Sequence, residues 1–170
     1  MNSRNFSVST VATAVDQPDP QTALQTLRNS IDQADGELLE SIAARTQPEP
    51  ADGLAARFAQ EFRDLFPSCP PQEAEETAKS LVAEMQAIFP CSLCRASITA
   101  LINGFTHRAQ VRQHKNQTRD ARREREMSER WRASSTALTM DPQKTERLLQ
   151  TIIETSVRMQ EIQVLPTSAP

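Results

Sequence analysis

The chain predicts an all-α fold, and three observations carry that expectation. Ala, Leu, Gln, Glu and Arg dominate its 170 residues, and these favour helix. Aromatics make up only 4%, glycines number 3 and tyrosine is absent, and no Val-, Ile- or Tyr-rich run alternates in a strand's two-residue period. The apolar residues instead recur every three or four positions along several long stretches. The length suits one domain with its own core. A net charge of -3 argues against generic nucleic-acid binding. There is no apolar run of about 18 residues, so no membrane span is expected. Three cysteines, two of them in Cys91-x-x-Cys94, suit a reducing compartment better than a disulfide framework, and a cytoplasmic location is expected.

Residues 1–20 are Ser/Thr-rich and end in the Pro-rich DQPDP. They read as a disordered leader, with a short organelle-targeting segment as the other reading. Residues 21–46 predict an amphipathic helix with the stripe Leu24, Leu27, Arg28, Ile31, Asp35, Leu38, Ile42, Arg45. Arg28 and Arg45 lie on or beside its apolar face. Each either snorkels to solvent or serves a site. Seventeen residues of helix span about 26 Å, so the two cannot meet one small ligand from the same chain.

The segment ALQTLRNSIDQADGELLESIAAR, with its Leu-Arg pair and a second Arg seventeen positions later, resembles the first helix of the all-helical chorismate mutases. That resemblance implies an intertwined homodimer in which Arg28 reaches the partner's site.

Residues 47–104 read as an insertion in that pattern. QPEPADG breaks the helix. A second helix follows in LAARFAQEFRDLF, a turn in PSCPP, and a third helix in PQEAEETAKSLVAEMQAIF with Leu81, Met85 and Ile88 as its stripe. Phe66-Pro67-x-x-Pro70, an acidic helix and Phe89-Pro90-Cys91-x-x-Cys94 are similar to the helix-bundle FAD-dependent sulfhydryl oxidases. A helix N-terminus lowers a thiol pKa, which suits thiol exchange by Cys91 and Cys94. Half of a zinc site, completed by Cys69, His107 and His114, is a second reading of the pair. Buried structural thiols are a third.

Residues 105–133 predict one charged helix, with nine Lys/Arg and four Asp/Glu between Arg108 and Arg132. A solvated face laced by pairs such as Arg122–Glu126 is one reading. A recess for a polyanion is the other. DARREREMSERW resembles the second helix of the chorismate mutases, placing that family's Asp, Arg and Glu at Asp120, Arg123 and Glu124. VRQHK resembles the segment with its lysine, at Lys115, with Arg112 next in line.

Residues 134–140 predict a loop, 141–163 the last helix, and 164–170 a tail. Asp141 can cap the last helix and Pro142 suits its first position. Its stripe Leu149, Ile152, Ile153 runs into Ser156 and Gln160, one turn apart on the face due for burial. A buried hydroxyl and amide need partners. They either bond to neighbouring helices or face a polar pocket. MDPQKTERLLQTIIETSVRMQ resembles the third mutase helix, and from Asp120 to Gln160 the pattern runs without a gap.

The resemblance implies an isomerase of the shikimate pathway and aromatic amino acid biosynthesis, converting chorismate to prephenate without cofactor or metal. Arg28, Arg45 and Arg123 would hold the two carboxylates. Lys115 and Gln160 would approach the ether oxygen. Asp120 and Glu124 would take the ring hydroxyl and orient the cations, and Ser156 would bond a carboxylate or a neighbouring side chain. Isochorismate-pyruvate lyase chemistry on the same scaffold, and a thiol-redox or interaction protein built on Cys91 and Cys94, are the alternatives.

Overall fold

A computed structural model describes residues 19–44, 49–88, 93–114 and 119–164. Among them are six α-helices and no strand: α1 (Pro20–Ala43), α2 (Ala51–Leu65), α3 (Pro71–Ile88), α4 (Arg95–Val111), α5 (Ala121–Ala137) and α6 (Pro142–Val164). The all-α expectation holds. No helix among the described residues is long and apolar enough to cross a membrane.

Helix α1 lies along α4, which covers its stripe of Ile31, Ala34, Leu38, Leu39 and Ile42. The covering helix starts inside the stretch read as an insertion and runs past residue 104, so no boundary falls there. Helices α2 and α3 pair with each other. Then α2 packs on α4, and α3 packs on α6. Phe58 and Phe62 of α2 meet Phe105 of α4, with ring centroids 5.9 and 5.4 Å apart, and Phe66, just past α2, packs on Phe62 at 4.9 Å. Leu81, Met85 and Ile88 of α3 are buried as their spacing predicts.

The single helix expected over 105–133 is two helices. Helix α4 ends at Val111, a 3-10 turn covers Arg112–His114, and α5 begins after Asp120. The physical reason is a cap. The Asp120 carboxylate accepts the Arg123 backbone N–H at 3.1 Å, satisfying a donor that a helix start leaves open. The loop expected over 134–140 is shorter, because α5 runs on to Ala137. Ser135 is buried, bonding the Trp131 carbonyl and the Thr145 hydroxyl, each at 2.6 Å. Thr139 then takes a left-handed φ of 61°, and Met140 N–H reaches back to the Ser135 carbonyl at 2.8 Å to close the helix end. Asp141 caps α6 as expected, accepting the Gln143 N–H at 2.9 Å.

Candidate functional site

Four helices line one half-open cavity of about 70 Å³. Helix α1 gives Arg28 and Ile31. Helix α4 gives Arg108 and Val111. Helix α5 gives Asp120 at its cap, then Arg123, Glu124 and Met127, and α6 gives Ile153, Ser156, Val157 and Gln160. Each set repeats at three or four residues, so each helix turns one face inward. The volume holds several waters or the narrow end of a small ligand.

Of the eight residues expected to serve the substrate, six line this cavity: Arg28, Asp120, Arg123, Glu124, Ser156 and Gln160. Arg45 and Lys115 lie outside the described residues, as does Cys91. Within the single chain, Arg28 lines this cavity from α1. Its own α1 is laid beside α5, and its Nη2 donates to Asp120 at 2.8 Å.

Three ion pairs of increasing burial tie α1 to α5 and α4. Arg28–Asp120 is the most open, with side chains 25% and 36% exposed. Arg123 pairs with Asp32 at 10% and 13%, and also donates to the Arg28 carbonyl at 3.2 Å. Arg130 shares the Asp32 carboxylate from outside. Deepest is Arg108 with Asp35, at 7% and 6%, joined by two hydrogen bonds of 3.0 and 2.8 Å. Trp131 Nε1–H completes Asp35 at 3.1 Å. A buried carboxylate with three donors is well compensated. Gly104 makes the room: a Cβ there would stand 2.8 Å from Arg108 Nη1, inside contact distance. Glu124 is held by Arg119 at 3.0 Å.

The α6 side differs in kind. The Ser156 hydroxyl donates to the Ile152 carbonyl of its own helix at 2.8 Å, so it offers the cavity lone pairs, not a proton. Gln160 Nε2 donates across to the Arg108 carbonyl at 3.1 Å. Its Oε1 is buried and has no hydrogen-bond partner among the described residues. Both earlier readings of Gln160 therefore apply, since it ties α6 to α4 and lines the pocket.

Sequence reasoning missed Arg108 and the pairs behind it. The signal was Asp35, a carboxylate in the apolar stripe of α1 that called for a buried cation.

The thiols stand elsewhere. Cys94 precedes α4, with its Sγ 3.6 Å from Ser97 Oγ. Burial pushes the Cys69 thiol above its ordinary range and neighbouring Glu73 adds to this, which disfavours the thiolate. Among the described residues no three His, Cys, Asp or Glu side chains are placed to hold a metal ion.

Fold and cavity thus define an all-helical protein with an arginine-walled internal site. The chain matches no protein-family model, no curated protein and no solved structure.

Proposed function

We propose that chorismate binds at this cavity, with one end inside it and the rest in its open side, and that the chain is a chorismate mutase. The observation that supports this most is the gathering of Arg28, Asp120, Arg123, Glu124, Ser156 and Gln160, separated by up to 132 positions, around one cavity.

The reaction is unimolecular. It needs the substrate held in a compact conformer with the reacting carbons close, and stabilisation of negative charge on the ether oxygen as its C–O bond breaks. Guanidinium groups suit the carboxylates because each binds bidentately. Arg28 and Arg123 take that role. A ligand carboxylate first meets Arg28 and displaces Asp120, the most exposed of the three pairs and so the one that costs least to open. Arg108 faces the ligand from the deep wall. Gln160 keeps a second N–H for the ether oxygen beside the one given to Arg108.

The charge balance assigns a part to Lys115. Among the described residues, the lining groups and the ion-pair partners named above are Arg28, Arg108, Arg119, Arg123 and Arg130 against Asp32, Asp35, Asp120 and Glu124. One net positive charge matches one carboxylate. A dianion calls for another cation, and Lys115 follows directly on the 3-10 turn that α4 leads into. Because Arg28 serves its own chain's cavity, a single chain suffices for this much of the site. A homodimer is required only for a contribution from Arg45.

The test is chorismate turnover by the full chain and by Arg28→Ala and Gln160→Ala, followed by the fall in ultraviolet absorbance. Each variant is expected to lose on the order of a hundredfold in kcat/KM, as for deletion of one transition-state contact. Unchanged turnover in folded variants removes the cavity from the reaction.

A further inference from the structure

We infer that α6 reads a hydroxyl on the ligand, through Gln160 Oε1 with Ser156 Oγ beside it, so the cavity selects hydroxy acids over the corresponding plain acids. This rests on the cavity being the ligand site.

The argument is one of satisfied and unsatisfied groups. The carboxylates lining the cavity are engaged: Asp120 by Arg28 and by the α5 cap, Glu124 by Arg119. Gln160 is only 4% exposed, and its orientation is fixed because Nε2 must face the Arg108 carbonyl. A flip would set two carbonyl oxygens against each other. Its Oε1 is therefore a buried acceptor without a donor among the described residues. Such a group is unfavourable until something donates to it. One turn earlier Ser156, its proton given to Ile152, also presents an acceptor. Nothing on this wall offers a strong anion contact, whereas the walls of α1, α4 and α5 carry guanidinium groups. The ligand thus has two unlike ends, a carboxylate toward the arginines and a donor toward α6. A hydroxyl fits that donor better than an ammonium, because Arg108 and Arg123 line the same small space and would repel a second cation.

The experiment titrates the full chain with cyclohexanecarboxylate and with its 3- and 4-hydroxy derivatives, by calorimetry or ligand-observed NMR. The better hydroxy acid is expected to bind about tenfold tighter, the worth of one well-made buried hydrogen bond. Gln160→Met should abolish that preference, and Ser156→Ala should reduce it. Equal affinities in the wild type, binding of neither acid, or a preference that persists in both variants overturns the inference. The wild-type comparison needs no variant to fold. Chorismate turnover separates this inference from the proposed reaction. A hydroxyl preference without turnover sinks the mutase reading alone, and turnover without the preference sinks this one alone.

Discussion

Removing the Asp35 carboxylate, which holds Arg108 from behind the cavity wall, should be the most damaging single change among the three ion pairs. Asp35 and Arg108 are 6% and 7% exposed, and the carboxylate takes two bonds from Arg108 and one from Trp131. Asp35→Ala leaves the guanidinium buried without its counter-charge and the indole N–H without an acceptor. Breaking a buried pair from one side costs roughly 3–5 kcal/mol. For a chain of this size that lowers Tm by roughly 6–20 °C. Urea unfolding measures it, followed by fluorescence of the single tryptophan, Trp131, which is 3% exposed, and by circular dichroism. The double variant Asp35→Leu/Arg108→Met removes both charges and should be the more stable of the two. A loss below about 1 kcal/mol for Asp35→Ala, typical of exposed pairs, would refute the claim that this pair is buried and coupled.

Two further perturbations address the mouth and the α3–α6 contact. Asp120→Asn keeps a good N-cap for α5 but withdraws the charge that holds Arg28, so cyclohexanecarboxylate should bind several-fold tighter, with a gain that shrinks as salt is added. Unchanged affinity would mean that the Arg28–Asp120 pair does not guard the entrance. Glu84 is raised above its ordinary 4.5 chiefly by burial, although Thr151 donates to it at 2.8 Å and Arg147 opposes the shift. Its folded form therefore keeps the proton when the unfolded chain has lost it, and stability falls as pH rises from the unfolded value through the folded one. Glu84→Gln should flatten that slope and be more stable at neutral pH in urea unfolding. Parallel pH profiles for the two proteins would contradict this.

The helical faces were legible because burial imposes a period on sequence. The Leu81–Met85–Ile88 stripe and the Ser156–Gln160 step could be placed on their faces without coordinates. The break between α4 and α5 was not legible in the same way. Asp120 sits in a charge-dense stretch with good helix formers, and its carboxylate reads equally as a ligand contact or as a cap. In the structure it lines the cavity and caps α5 at once. Pairings across helices were hidden for a different reason. Arg108 and Asp35 are 73 positions apart, and no local period connects them. The resemblance assigns Arg28 to a partner's site because seventeen residues of helix separate it from Arg45. The stretch read as an insertion supplies the start of α4, which lies along α1, and no local period announces that packing.

The most direct measurement is the wild-type full chain with chorismate, followed to prephenate. Turnover well above the uncatalysed rate that is lost in Arg123→Ala, with that variant still folded, is the outcome expected if the arginine-walled cavity holds the dianion. Chorismate that is neither bound nor consumed by the folded wild-type chain would contradict the proposal.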